Sequence, residues 1–235
     1  MPLPSLAGDL PMHPPTVAVI HTSPATVEVF SRLLAERLPQ ARVINMLDDS
    51  VLPQLRDNGA DLAAVAPRWR QYARIAREQG ADVILNACSS IGELCAPAQQ
   101  ELGIPVVRVD SAMAAQAVAG ASRVAVVATL ASTLGPTTRL LAETARAQQR
   151  AVEVEPMLVD GAYAALVAGD RERHDDLVAA ALAKAADQAD QVVLAQASMA
   201  RVLPRLASQQ QARCLVSPEL AVASVARALG ADRTA

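Results

Sequence analysis

Apolar and polar positions along the chain alternate between two periods. Val17-Ala-Val-Ile20 is a short continuous apolar run. It is followed by Thr26 to Leu38, where apolar residues recur at helical spacing. Ala41-Arg-Val-Ile-Asn45 predicts a second strand. A long helix is expected from near Pro67, through Trp69, to about Gln79. Val83-Ile-Leu85 predicts a third strand, with a helix beginning near Ser90, and Pro105-Val-Val-Arg-Val109 a fourth. The alternation then resumes. Val124-Ala-Val-Val127 predicts a strand, and Thr133 to Gln149 a helix. Val152-Glu-Val154 reads as a short edge strand and Asp176 to Ala189 as a helix. Gln191 to Leu194 and Cys214-Leu-Val216 read as strands, and Glu219 to Leu229 closes the pattern as a helix. Strands of four or five apolar residues between helices predict an α/β fold, with parallel sheets covered on both faces.

The pattern repeats. Val17-Ala-Val-Ile-His-Thr-Ser23 matches Val124-Ala-Val-Val-Ala-Thr-Leu130, 107 positions on. Ala81-Asp-Val-Ile-Leu-Asn-Ala-Cys-Ser-Ser90 matches Ala189-Asp-Gln-Val-Val-Leu-Ala-Gln-Ala-Ser198, with Asp82 108 positions before Asp190. Val107 to Ala114 matches Cys214 to Ala221: a strand, a short turn, then an Ala-rich helix. Three pairs at nearly one offset predict two pseudo-symmetric, Rossmann-like lobes with an active site between them. The expected division is residues 15–112 plus 214–235 for the lobe carrying Cys88, and 113–213 for the lobe carrying Gln196.

Ligands of open α/β sheets bind beyond the carboxyl ends of the strands. There this sequence places segments rich in small hydroxyl and amide side chains: His21, Thr22 and Ser23; Asn86, Cys88, Ser89 and Ser90; Thr129, Ser132 and Thr133; and Gln196, Ala197 and Ser198. A merely structural turn would more often use Gly, Asp or Pro. Hydroxyls and amides suit an anionic oxygen ligand.

Composition narrows the picture. Aromatic residues make up 2% of the chain and hydrophobic residues 52%, so the core is aliphatic. The net charge of −3 and scattered arginines exclude a nucleic-acid footprint, which needs a clustered basic face. Three cysteines, Cys88, Cys95 and Cys214, do not make a disulfide framework, and their spacing suits no zinc site. The Pro-rich lead-in Met1 to Pro15 has no basic region followed by an apolar run, so it does not read as a signal peptide. No apolar stretch of about 20 residues suggests a membrane span. A cytoplasmic location is the expectation.

Taken together, these motifs resemble the aspartate/glutamate racemase superfamily over Val17 to about Leu229. That superfamily includes amino-acid, hydantoin and allantoin racemases, maleate cis–trans isomerase and arylmalonate decarboxylase. The resemblance rests on Asp82-Val-Ile-Leu-Asn-Ala-Cys-Ser-Ser90 and Asp190-Gln-Val-Val-Leu-Ala-Gln-Ala-Ser-Met199. It implies a cofactor-independent enzyme of two-base type, in which two thiols flank a substrate carbon while strand-end amides and hydroxyls hold its carboxylate. On that resemblance Cys88 is a catalytic thiol, Ser89, Ser90 and Thr129 bind carboxylate, and the assembly is a homodimer or a higher homo-oligomer. Gln196 stands where the second cysteine belongs.

Each residue carries a chemical reading of its own. Cys88, between a strand and a helix, is expected to favour thiolate through helix N-terminal amides. Gln196 cannot act as an ordinary acid; it either donates to a carbonyl or enolate oxygen or fills the second lobe's pocket. His21 is either a second proton donor or a turn histidine. His174, in the charged run Asp170 to Asp176, reads as a solvated surface residue. Cys95 and Cys214 read as core. Asp48 and Asp49 either cap the next segment or reach the cleft, with capping the commoner role; Arg70 and Arg74 read as a solvated helix face rather than a carboxylate clamp, and Tyr72 as a residue that could line the cleft. Three activities stay open: an isomerase with Cys88 as base, a lyase, decarboxylase or hydrolase with Cys88 as nucleophile or sole proton donor, and a non-catalytic small-anion binding protein.

Overall fold

A computed structural model describes residues 13–230, so the lead-in up to residue 12 and the last five residues lie outside the described residues. Two four-stranded parallel sheets form the frame. The first has the order β2-β1-β3-β4, built from β1 (Thr16–His21), β2 (Arg42–Leu47), β3 (Val83–Asn86) and β4 (Val106–Arg108). The second has the order β6-β5-β7-β8, built from β5 (Arg123–Ala128), β6 (Glu153–Leu158), β7 (Gln191–Leu194) and β8 (Cys214–Leu215).

The helices are α1 (Ala25–Arg37), α2 (Val51–Asp57), α3 (Ala66–Glu78), α4 (Cys95–Leu102), α5 (Ser111–Gly120), α6 (Ala131–Ala147), α7 (Ala162–Val167), α8 (Arg171–Gln188), α9 (Ser208–Gln211) and α10 (Pro218–Ala228). Three 3-10 segments, Leu62–Ala64, Ser89–Leu94 and Ala197–Arg205, join them.

The central strands are apolar because both faces are covered. Along β1, Ala18 and Ile20 pack on the side of Trp69, while Val17 and Val19 pack on the side of Phe30 and Leu34. The edge strands β2 and β6 are more exposed, and this shows in their mixed sequences. The repeat is structural: β1 and β3 pair as β5 and β7 do, with Val17 opposite Val83 and Val124 opposite Gln191.

The strand Cys214–Leu215 departs from the expected division. That division puts it in the first lobe with the C-terminal helix, but it extends the second sheet, with Val192 opposite Cys214 and Val193 opposite Leu215. Only the helix after it crosses over: Ala221, Val222, Val225 and Ala226 of α10 join the first lobe's core. The same exchange occurs at the other junction, where Met113, Ala114, Ala117 and Val118 of α5 pack in the second lobe's core. Backbone ladders decide a strand's place and apolar stripes a helix's, so a connection can change lobes within two residues.

Helix boundaries also moved. The charged run before Asp176 is helical from Arg171, because the Asp170 carboxylate accepts from the Arg173 N–H at 3.0 Å and caps the first turn. His174 is therefore not on a solvated surface. It is 1% exposed, with Nδ1 2.7 Å from Asp175 Oδ1. Arg201 binds the same carboxylate at 2.6 Å and, with the His174 bond, holds the Asp175 carboxyl below the usual range.

Candidate active site

A strand order of 2-1-3-4 reverses direction between β1 and β3, and such a switch point opens a crevice at the strands' carboxyl ends. Thr22 follows β1 and Cys88 follows β3, so the two residues flank that crevice. Thr129 and Gln196 flank its equivalent between β5 and β7. Thr22, Asn86, Ser89, Ser90, Thr129 and Ser132 are all buried; Ser23, Gln196, Ala197 and Ser198 are half-buried.

Cys88 is 7% exposed and has extended backbone (φ −140°, ψ 115°) just before the 3-10 segment Ser89–Leu94. The sequence predicted an ordinary helix from Ser90. Instead Ile91 breaks helical geometry (φ −115°, ψ 16°), and the α-helix proper starts at Cys95. The Thr22 hydroxyl and the Ser90 and Ile91 N–H groups act on the sulfur in the direction that favours its anion. Burial is nonetheless the larger effect and pushes the thiol above its ordinary range. This corrects the expectation of a favoured thiolate: a short, bent 3-10 turn supplies a few amides, while enclosure disfavours the anion more.

The backbone of Cys88 is held from behind. Trp69 Nε1 donates to Asn86 Oδ1 at 3.1 Å, and Asn86 Nδ2 donates to the Cys88 carbonyl at 2.8 Å. Asn86 is fully buried, and this network uses its carbonyl oxygen and one amide hydrogen, which places it as a support for the thiol loop. The indole partner was not foreseen; its one signal was a tryptophan in a chain nearly free of aromatics.

In the second half, Gln196 Oε1 accepts two hydrogen bonds from Thr129, from the N–H at 2.7 Å and from the hydroxyl at 3.0 Å. The amide oxygen thus occupies a setting like that of the Cys88 sulfur, beside the equivalent threonine. Gln196 Nε2 has no hydrogen-bond acceptor among the described residues, which leaves it able to donate to a ligand.

His21 is fully buried, with Nδ1 2.8 Å from Thr26 Oγ1 and Nε2 3.0 Å from Asn45 Oδ1. Burial, opposed by the Asn45 bond, pushes its pKa below the ordinary value. Both ring nitrogens are engaged within the first lobe, so the geometry favours the turn-histidine reading over a second proton donor.

Asp48 Oδ1 accepts from the N–H of Ser50 at 3.1 Å, and Oδ2 takes the Tyr72 hydroxyl at 3.1 Å and pairs with Arg68 Nε at 2.6 Å. Asp48 therefore fixes the loop after β2. Arg74 pairs with Glu101 on an exposed face, and Arg70 is exposed. Cys95 is buried in the core, with its thiol pushed far up by burial; half-buried Cys214 is pushed up to about 11 by the same cause. Among the described residues no group of three or more His, Cys, Asp or Glu is arranged to hold a metal ion. No helix among them is long and apolar enough to cross a membrane.

The two halves touch where the site loops emerge. Ser90 Oγ and Thr133 Oγ1 are 2.9 Å apart and buried. Glu93 pairs with Arg139 at 2.6 Å across the same boundary.

The pattern of the Asp/Glu/hydantoin racemase family matches residues 17–225. The chain belongs to that family. This racemase-family chain also shares its fold with solved structures. One is glutamate racemase from Bacillus anthracis, with a TM-score of 0.73 and 14% identity over 93% of this chain and 82% of that one. Another is aspartate racemase from Picrophilus torridus, with a TM-score of 0.66 and 14% identity over 92% and 94%. A third is a glycine-to-cysteine mutant of arylmalonate decarboxylase, with a TM-score of 0.59 and 21% identity over 92% and 94%. No curated protein matches this racemase-family chain in sequence.

Proposed function

We propose that this chain is a cofactor-independent enzyme that transfers a proton at the carbon beside a carboxylate or carbonyl of a small substrate. Cys88 is the single thiol that carries the proton, and Gln196 is an amide donor facing it. Racemase-like or decarboxylase-like chemistry is the class the family supports. The observation that carries the finer reading is the matched pair of settings: Thr22 beside Cys88 in one half, Thr129 bound to Gln196 in the other.

A thiol removes or supplies a proton; an amide does neither at ordinary pH. Proton transfer is thereby confined to one face of the substrate carbon. The Nε2 group of Gln196 supplies a hydrogen bond to the oxygen on which negative charge develops when that carbon becomes a carbanion or enolate. Ser89, Ser90, Ser132 and Ser198, with the loop amides, supply neutral donors for a carboxylate. Water is limited by the burial of the loops around the sulfur.

A decarboxylase variant of this reading has one observation in its favour. Burial keeps the resting sulfur protonated, so Cys88 is poised first as an acid, ready to protonate a carbanion left by loss of carbon dioxide.

The test is proton NMR in D₂O with small amino acids, hydantoins, maleate and substituted malonates, beside Cys88→Ala. The reading expects deuterium beside the carboxylate, or a decarboxylated product deuterated there, with intact Cys88 alone. Exchange that proceeds equally in Cys88→Ala overturns it. Binding without turnover, surviving that substitution, would instead establish a small-anion binding protein.

A further inference from the structure

We infer that the buried Arg108–Asp110 pair is a positioning device for Cys88: with Gly92 it fixes the bend that presents the Ser90 and Ile91 N–H groups to the thiol sulfur. The inference deepens the reading of Cys88 as the reacting thiol and rests on it.

The pair lies at the end of β4, next to the strand that carries Cys88. Arg108 Nε donates to Asp110 Oδ1 at 2.7 Å and Nη2 to Oδ2 at 3.1 Å, a two-pronged bond. The side chains are 10% and 0% exposed. Nη2 also donates to the Pro136 carbonyl of α6 at 3.2 Å, so the guanidinium bridges the two halves. Asp110 stands at the N-cap of α5, yet its carboxylate makes no capping bond. Both oxygens are turned to Arg108.

The guanidinium lies hard against the thiol's own loop. A Cβ at Gly92 would overlap Arg108 Nε and sit 2.6 Å from Cζ. Only a residue without a side chain lets the guanidinium lie there. Gly92 immediately follows Ile91, whose non-helical backbone bends the segment that begins directly after Cys88; the Ser90 and Ile91 N–H groups of that segment favour the Cys88 anion. Arg108, clamped by Asp110 and Pro136, is thus a wedge under that bend. The ordinarily flexible end of an arginine cannot yield here without breaking its own ion pair.

A general stabilising role does not account for this arrangement. A buried ion pair is weak evidence for stability, since desolvation offsets much of its attraction. The pseudo-symmetry supplies a comparison within one chain. In the half that has Gln196, the position of Gly92 is held by Ala200, and Leu215-Val216-Ser217 stands where Arg108 and Asp110 lie. The clamp is present in the half with the cysteine and missing from the half without it. Cys95 shares this neighbourhood, and its ionisation is disfavoured further by a Cys88 thiolate and by Asp110, and favoured by Arg108.

The test is the pH dependence of iodoacetamide alkylation of Cys88, followed by peptide mass spectrometry of the intact chain after reaction. Cys95 and Cys214 in the same digest serve as references. Two variants are used: Gly92→Ala, which displaces the guanidinium, and the double variant Arg108→Met with Asp110→Asn, which removes both charges and leaves none buried alone. Each is expected to move the Cys88 titration upward, with about a tenfold fall in alkylation rate at neutral pH for each unit moved. Arg139→Met, which breaks the neighbouring Glu93 pair, is expected to leave the titration in place. A wild-type Cys88 profile in either folded variant overturns the inference. So does faster alkylation of all three cysteines, which would mean that the pair only holds the fold closed. The measurement needs no substrate, so it can fail while turnover still depends on Cys88, and the reverse.

Discussion

Thr129 gives both of its donors to one acceptor: its N–H and its hydroxyl meet Gln196 Oε1 at 2.7 and 3.0 Å. Two converging donors fix which end of the amide is oxygen, since the opposite orientation would set NH₂ against both. Nε2 is therefore directed away from Thr129. Three substitutions separate the roles of that group. Gln196→Glu keeps an acceptor for Thr129 but loses the donor, and is expected to lower kcat by about 10²- to 10³-fold, the usual effect of removing one oxyanion donor. Gln196→Ala loses both functions and is expected to raise KM as well. Gln196→Cys places a second thiol beside Thr129 and is expected to gain exchange at the opposite substrate face, read by chiral chromatography of the product in D₂O. Full activity in Gln196→Glu would rule out the donor role.

His21 makes stability depend on pH. Burial lowers its pKa from the ordinary 6.5, with the Asn45 bond opposing. The unfolded chain then binds more protons than the native one below that value. Stability from this group is fully present above about pH 6.5 and is lost as pH falls toward the folded-state pKa, at no more than about 1.4 kcal/mol per pH unit. Thermal unfolding from about pH 7.5 to 5.5 is expected to show a falling Tm in the wild type. His21→Gln should start lower and show a flatter slope over this window. An equal slope in both would assign the pH dependence to other groups.

Trp69 is the only tryptophan, and its ring N–H is tied to the residue that holds the Cys88 carbonyl. Trp69→Phe leaves buried Asn86 Oδ1 without that donor. The expected loss is about 1–3 kcal/mol for the orphaned acceptor, with a further cost from lost volume. Urea titration followed by circular dichroism gives the stability. Asn86→Ala should slow Cys88-dependent turnover more than Trp69→Phe, because it releases the thiol loop directly.

Ser90 and Thr133 join the halves through one buried hydrogen bond, 2.9 Å long. A double-mutant cycle of Ser90→Ala and Thr133→Val is expected to show a coupling of about 0.5–1.5 kcal/mol in unfolding free energy. Strictly additive losses would mean that the two hydroxyls act independently and that the lobes are held by packing, the Glu93–Arg139 pair and the Arg108–Pro136 bond.

Much of this molecule could be read from the chain. Eight strand positions, the apolar faces of the long helices, and the repeat that aligns Thr22 with Thr129 and Cys88 with Gln196 follow from local pattern. An apolar run of four or five residues between helices has few other ways to be buried. The strand-end chemistry was legible for the same reason, because parallel strands deliver all their carboxyl ends to one side. Tertiary structure decided what depends on partners distant in sequence. His174 sits in a charged run, yet it is buried because Asp170 starts the helix early and Asp175 and Arg201 close over the ring. Cys214 joins the second sheet because its backbone ladder matches Val192, while the helix after it follows its apolar stripe into the other lobe. The protonation of Cys88 depended on the balance between enclosure and two loop amides, which no local pattern fixes. Arg108 and Asp110 stand two residues apart in the chain, and folding buries them as an ion pair lying against Gly92. Local sequence sets which backbone conformations and faces are favourable; burial, pairing and charge balance belong to the neighbours that folding supplies.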